Sequence, residues 1–200
     1  MEKSFWKALQ DRHSVYGFDT EKPVSQDKVV EIVEKALTLV PSSFNSQSTR
    51  IVVLFGEHHK KLWDIVIDAL RKVTDDRQFA QSQSKVREDF QSGYGTVLFF
   101  EDQEVIKGLQ EQFALYADKF PVWSEHTAAM HQFTVWTALA GEGLGASLQH
   151  YHPLIDDAVR REWHIKESWK LTAQMPFGKP RSAPGEKDHM AMAVRLMVFS

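Results

Sequence analysis

The 200 residues carry 24 Lys and Arg against 27 Asp and Glu, a formal net charge of −3, with 42% hydrophobic and 12% aromatic side chains. This is the composition of one folded domain, read as spanning 1–200, too rich in Phe, Trp and Leu for disorder and without the broad basic surface that nucleic acid requires. The absence of cysteine removes disulfides, thiolate nucleophiles and zinc–cysteine or iron–sulfur centres, so redox chemistry would need a cofactor.

The N-terminus lacks an apolar signal-like core and no stretch is long enough to span a bilayer, so a soluble, cytoplasmic protein is expected, with no membrane partner. A short helix is predicted over Ser4 to Gln10. It runs into a polar loop, Arg12-His13-Ser14-Val15-Tyr16-Gly17-Phe18, where Gly17, Asp19 and Pro23 signal a turn. Ser25 is placed to cap a helix whose Val29, Val30, Val33, Ala36, Leu37 and Val40 recur at three-and-four spacing until Pro41. The aperiodic loop from Pro41 to Ser48 leads to a buried strand over Ile51 to Phe55, and His58 to Val73 returns to helical spacing.

Thr74 to Gln91 is the least legible stretch. Thr96 to Phe100 reads as a second apolar strand, followed by helical sequence from about Gln103 to Phe120 that Pro121 interrupts. Ser124 then caps a long helix, apolar on more than one face, that ends at Gly141-Glu142-Gly143-Leu144-Gly145. Ser147 to His150 is expected as a brief strand, Asp156 to Trp163 as helix and Trp169 to Met175 as strand. After a Gly/Pro-rich loop from Phe177 to Gly185, Met192 to Phe199 is expected to be extended. The irregular alternation argues for an α+β fold, a mixed sheet flanked by helices.

Four constellations carry chemistry. The glycines 141, 143 and 145 follow a helix instead of opening one, which fits a helix cap and not a dinucleotide fingerprint. The nine histidines show no His-Glu-x-x-His spacing; His126/His131 and His150/His152 are poor ligand pairs, so no metal is expected, although His150 and His152 share one side of an extended backbone. In Arg12-His13-Ser14 an arginine and a hydroxyl two residues apart can reach one phosphate, or equally form a surface ion pair. Ser42, Ser43, Asn45 and Gln47 offer hydroxyl and amide groups suited to the edge of a flat heterocycle, or to a polar turn.

In chain order, Arg12-His13-Ser14, Pro41-Ser42-Ser43-Phe44-Asn45-Ser46-Gln47, Trp136-Thr137-Ala138-Leu139, Gly143-Leu144-Gly145-Ala146-Ser147-Leu148-Gln149-His150-Tyr151 and Gln174-Met175-Pro176-Phe177-Gly178-Lys179-Pro180 resemble the FMN-dependent nitroreductase family, in its short fungal and lactic-acid-bacterial branch. The resemblance covers nearly the whole chain. It implies an α+β fold with a mainly antiparallel sheet, in a domain-sharing homodimer with two FMN sites at the interface. It implies that Arg12 and Ser14, with His13 between them, hold the phosphate and ribityl end together with Lys187. Ser42, Ser43, Asn45 and Gln47 would approach the flavin from the other subunit, and Leu148, Gln149, His150 and Tyr151 would lie beside the ring, their backbone N–H groups toward N5.

Tyr16 stands beside the ring where most relatives carry Arg or Lys, with Lys85 or Arg87 as candidate substitutes, and Ser48-Thr49 replaces a frequent Pro-Trp. The implied activity is transfer of hydride from NAD(P)H through flavin N5 to nitroaromatics or quinones by a ping-pong sequence, with no catalytic side-chain acid or base. A flavin-binding, redox-responsive regulator with incidental turnover is the alternative, and a metal-binding non-enzyme a third.

Overall fold

The computed structural model describes residues 4–183, 185 and 187–199; residues 1–3, 184, 186 and 200, and the parts of the expected loop and tail that fall on them, lie outside the described residues. The sheet is built from β1 (Phe18–Asp19), β2 (Thr49–Phe55), β3 (Gly95–Asp102), β4 (Gly145–Ala146) and β5 (Trp169–Pro180). Its order is β1-β5-β3-β2, with β4 also on β5, and every strand pairing is antiparallel. The one parallel element is an isolated bridge between Ser14 and Ala146. The sheet expected as mixed is thus almost wholly antiparallel.

The helices are α1 (Phe5–Asp11), α2 (Gln26–Leu39), α3 (Gly56–Arg71), α4 (Asp76–Lys85), α5 (Gln103–Gln112), α6 (Phe120–Gly141) and α7 (Asp156–Glu162). Alternation along β3 and β5 sends Val97, Phe99, Ala173, Met175 and Phe177 into a core with α2 and α6. The intervening Leu98 and Phe100, with Leu171, meet Leu62, Trp63, Val66 and Phe90 on the other face. All eight residues of β3 are buried, as expected of a strand covered on both sides.

Local signals explain the boundaries. Ser25 caps α2 as expected, its Oγ accepting from Lys28 N at 3.2 Å. Ser124 does not cap α6. The helix begins at Phe120 with Pro121 in its first turn, where a missing N–H costs nothing, so Ser124 is carried inside the helix and buried. Pro121 therefore starts a helix where an interruption was expected. The unread stretch 74–91 is ordered: Asp75 caps α4, its carboxylate accepting from Gln78 N at 2.8 Å, and Val86–Gln91 follows as a π-helical segment.

β5 runs through the Gly/Pro-rich sequence to Pro180, since Phe177 and Gly178 pair with β4 and the final residues with β1. The expected strand at Ser147–His150 reduces to one bridge, Gln149 to Gln174. Among the described residues Met192–Phe199 forms no strand; it holds a single 3-10 turn, Met192–Val194, and is exposed throughout. The glycines after α6 act as a helix end, with Gly143 left-handed at φ 81°. Gly145 serves close approach: a Cβ there would lie 2.7 Å from Val15, and this contact lets the segment after α1 pair with Ala146.

Candidate functional site

The loop after α1 is drawn along the β5 edge. Val15 N donates to Ala146 O at 3.0 Å, and Trp136 Nε1 on α6 donates to His13 O at 3.2 Å. Arg12, at the C-terminal cap of α1, lays its guanidinium 4.4 Å from the centroid of the same indole. Lys187 arrives from the C-terminal segment, its Nζ donating to Arg12 O at 3.2 Å.

Three basic side chains therefore gather in one place. Among the described residues neither Arg12 nor Lys187 has a carboxylate within ion-pair distance, and Arg12 Nε is buried with no hydrogen-bond partner. Burial lowers the pKa of Arg12, and burial with the neighbouring Arg12 charge lowers that of Lys187. His13 is lowered by burial first, then by the charges of Lys187 and Arg12. Each of these groups holds its proton less readily than in water, and an added anion would reverse that. The exposed Ser14 hydroxyl stands next in the chain.

Further along the same edge, Gln149 and Gln174 exchange both backbone bonds, at 2.8 and 2.9 Å, and Gln174 Oε1 accepts from Tyr151 N at 2.8 Å. In an antiparallel ladder the residues flanking such a pair turn their N–H groups outward, so those of Leu148 and His150 face away from β5. Tyr151 is half-buried against Trp63 and Phe90, and Tyr16, 49% exposed, lies 6.3 Å from Phe90. Lys85 Nζ stands 5.0 Å from the Tyr16 ring centroid, so of the two candidate substitutes it is Lys85 that meets Tyr16. His150 and His152 approach to 5.7 Å between rings, while among the described residues no group of three or more His, Cys, Asp or Glu is arranged to hold a metal.

The residues Ser42, Ser43, Asn45 and Gln47 are elsewhere. They form a tight 3-10 turn, Ser43–Asn45, and its exit, with Phe44, Asn45 and Gln47 left-handed at φ 55°, 52° and 47°. Ser42 Oγ accepts from Gln47 N at 2.9 Å, and Arg50 Nη1 donates to Gln47 O at 2.6 Å. Among the described residues the exposed Asn45 and Gln47 side chains make no hydrogen bond. Phe44 stacks on Trp123 with centroids 6.0 Å apart and meets Phe113, Phe120 and Tyr116.

The sites expected to meet on one cofactor thus sit at opposite ends of α6. Arg12 touches Trp136 and Phe44 touches Trp123, 13 residues and about 20 Å apart along the helix axis. Arg12, His13, Ser14, Tyr16, Lys187 and Leu148 to Tyr151 share one edge; Ser42, Ser43, Asn45 and Gln47 do not join them within the chain. Sequence reasoning missed the aromatic cage around Phe44, whose only signal was the density of rings between Phe113 and Trp123. It also missed the platform role of Trp136, which no spacing announces.

Residues 9–179 match the model of the nitroreductase family. HBN1 of Saccharomyces cerevisiae is 34% identical over 195 residues, covering 96% of each chain. Among solved structures, the nitroreductase CinD from Lactococcus lactis in complex with chloramphenicol is 45% identical, with a TM-score of 0.87, covering 98% of this chain and 100% of that one. The same protein was solved with 4-nitrophenol and with nicotinic acid. A structure from Exiguobacterium sibiricum in complex with FMN, 15% identical with a TM-score of 0.68 and 98% of each chain covered, shares the fold.

Proposed function

The chain belongs to the nitroreductase family and is an oxidoreductase, and from that premise we propose that it is an FMN-dependent NAD(P)H oxidoreductase acting on nitroaromatics or quinones as a homodimer. The observation that carries the cofactor reading is the basic group at Arg12, His13 and Lys187: neither Arg12 nor Lys187 has a carboxylate within ion-pair distance among the described residues, Arg12 Nε is buried and unbonded, and only His13 feels a nearby carboxylate, that of Asp11. A phosphate dianion supplies the missing acceptor, with the Ser14 hydroxyl beside it. The outward N–H groups of Leu148 and His150 suit the polar edge of a ring. The FMN held by the Exiguobacterium protein, and the flat rings held by CinD, support the same chemistry.

The homodimer reading follows from the distance of about 20 Å along α6 between the phosphate group and the Asn45 loop. Antiparallel pairing of two copies along α6 sets the Trp136 end of one against the Phe44 end of the other. The face of α6 carrying Val122, Met130 and Phe133 is exposed in the single chain and apolar, as such a seam requires. The exposed apolar tail around Leu196 to Phe199 is further surface for the partner to cover.

FMN, when bound, would supply the two-electron hydride chemistry between NAD(P)H and the acceptor in a ping-pong sequence. The chain's part is placement. Arg12 and Lys187 fix the charged end, and the segment from Leu148 to Tyr151 fixes the ring along the β5 edge. Asn45 and Gln47 of the second copy offer amides to its rim, and the rings around Phe44 exclude water and accept a flat substrate.

The absorbance spectrum of the purified protein, with mass spectrometry of the released chromophore, tests the cofactor. Turnover with NAD(P)H and a panel of nitroaromatic and quinone acceptors tests the enzyme. Colourless protein overturns the first reading. A flavin that is reduced yet reoxidises equally slowly with every acceptor replaces the enzyme with a redox-responsive regulator.

A further inference from the structure

On the sheet end behind the Ser42–Gln47 loop, the Glu101 side chain of β3 is 1% exposed and accepts three hydroxyl hydrogen bonds. Ser48 Oγ donates to Oε2 at 2.6 Å, Thr49 Oγ1 to Oε1 at 2.5 Å and Ser124 Oγ to Oε2 at 2.8 Å. The donors belong to three pieces of structure: the end of the loop, the start of β2 and the interior of α6. The network continues outward through Ser46 Oγ, 3.3 Å from Ser48 Oγ, and inward through His131 Nδ1, 3.2 Å from Thr49 Oγ1 and 2.9 Å from Thr127 O. Among the described residues no Lys or Arg pairs with Glu101. Ion pairs flank it on neighbouring residues, Arg50 to Asp102 at 3.1 Å and Lys170, the β5 partner of Glu101, to Glu125 at 2.7 Å.

As a stabilising device this arrangement is poor, because a buried carboxylate without a counterion is costly to desolvate and apolar packing would fill the space more cheaply. As a fixing device it is good. A carboxylate only accepts, so three convergent O–H donors have one joint solution, and that solution sets the loop end against both β2 and α6. The loop needs such a fix: non-glycine residues in the left-handed region persist only where their surroundings over-determine them, and here Phe44, Asn45 and Gln47 all adopt it.

We propose that Glu101 is a positioning residue that holds the Ser42–Gln47 loop, and with it the Asn45 and Gln47 amides, in the geometry presented to the flavin. The presentation rests on the cofactor reading above; the hold on the loop does not. The sequence signal is the pair Ser48-Thr49. This chain has two adjacent hydroxyls there, and both are spent on Glu101.

The test compares Glu101→Gln with His59→Gln in the purified protein as it is obtained. His59 belongs to a separate polar network on the other face of the sheet, bonded to Thr96 and Gln91, so it serves as a control for lost stability alone. A Gln at 101 keeps the shape but turns an NH2 toward at least one hydroxyl. Amide hydrogen exchange at Asn45, Ser46 and Gln47 is expected to quicken about tenfold in Glu101→Gln and to stay at the wild-type rate in His59→Gln. FMN binding is expected to weaken several-fold in the first variant only.

Equal exchange in both variants overturns the proposal. Should Glu101→Gln fail to fold, Ser48→Ala and Ser124→Ala each delete one donor and leave the charge in place; loop exchange unchanged in both also overturns it. A loosened loop with unaltered FMN affinity leaves the role of Glu101 intact and removes the loop from the flavin site. A wild-type protein without flavin defeats the cofactor reading, and the exchange comparison still decides this one.

Discussion

The two ends of α6 handle polarity in opposite ways. At the Trp136 end, Arg12 and Lys187 are brought together with no carboxylate to meet them among the described residues, and Arg12 Nε is left buried without an acceptor. At the Trp123 end a buried carboxylate is met by three hydroxyls, and the loop's own backbone closes through Ser42 and Arg50. One end leaves a buried donor without an acceptor among the described residues, and the other meets its buried carboxylate with donors of its own. If both serve one site, as proposed above, the second end supplies a preformed wall and the first has a donor still to satisfy.

The largest effect comes from testing whether the ends cooperate across two chains. Arg12→Ala removes a charge-assisted contact to a dianion and should weaken FMN binding by roughly 1.5–3 kcal/mol, about 10- to 150-fold. Asn45→Ala should lower occupancy from the other end. Mixed in one preparation and allowed to exchange, the two variants form heterodimers in which one of the two sites has both residues intact. Recovery of tight FMN binding in about a quarter of all sites, one site in each heterodimer, is expected by fluorescence titration, and no recovery would take the two ends off one shared site.

Comparable in size is a control on the opposite face of the sheet. His59 is buried between Thr96, whose Oγ1 is 2.8 Å from Nδ1, and the Gln91 carbonyl, 3.1 Å from Nε2. Burial is the main cause that lowers its pKa to about 4. Because the folded value lies below the unfolded one, the unfolded chain binds the extra proton first, and stability present above about pH 6.5 is lost as pH falls toward 4. The loss is on the order of 3 kcal/mol. Denaturant melts between pH 7 and 4 should show this slope, and His59→Gln should flatten it. A slope that survives in His59→Gln would shift acid sensitivity to another group.

What could be read from the chain divides along the same line. Residues that act through local chemistry were legible: the Ser25 cap, the helix end at Gly143 and the Arg12-His13-Ser14 turn need only neighbours in sequence. The long-range joins were not. Ser124 looks like a cap from its neighbours and is a buried donor because Glu101, 23 residues earlier, meets it in space. Pro121 looks like a breaker and is a first-turn proline, since the apolar run from Phe113 packs around Phe44 and starts the helix four residues sooner. β5 passes through glycine and proline because both its edges are paired, which composition alone cannot show. The resemblance sets the candidate cofactor residues in two groups, and their separation of about 20 Å along α6 is visible only in the fold.

A smaller effect separates the two cations of the phosphate end. Lys187 is exposed and bonded to a carbonyl, whereas Arg12 is packed on Trp136. A compact, hydrated ammonium on a flexible stem contributes less than a preorganised guanidinium, so Lys187→Ala should weaken FMN binding by about 1 kcal/mol or less. Equal losses for Arg12→Ala and Lys187→Ala, measured in the same titration, would show that the packing of Arg12 on the indole confers no advantage.

The smallest effect concerns the ring and sharpens the contrast most finely. Lys85 hangs over the Tyr16 ring at 5.0 Å while also pairing with Asp89 at 3.2 Å. A positive charge near the flavin favours its anionic reduced form and raises the midpoint potential, with about 30 mV corresponding to 1.4 kcal/mol in a two-electron couple. Because Asp89 offsets part of the Lys85 charge, Lys85→Ala should lower the midpoint by only a fraction of that, and Tyr16→Arg, which adds a cation directly, should raise it by more. Combining Tyr16→Arg with Lys85→Ala should give a midpoint above wild type, since the nearer charge dominates. Tyr16 is half exposed, so Arg can be accommodated without burying an unpaired charge, and the fold should survive the change. Spectroelectrochemical titration of the three variants at full FMN occupancy decides the matter. Midpoints that do not move in any of them would take Tyr16 and Lys85 away from the ring and leave the β5 edge with the outward N–H groups of Leu148 and His150 as its only ring-facing elements.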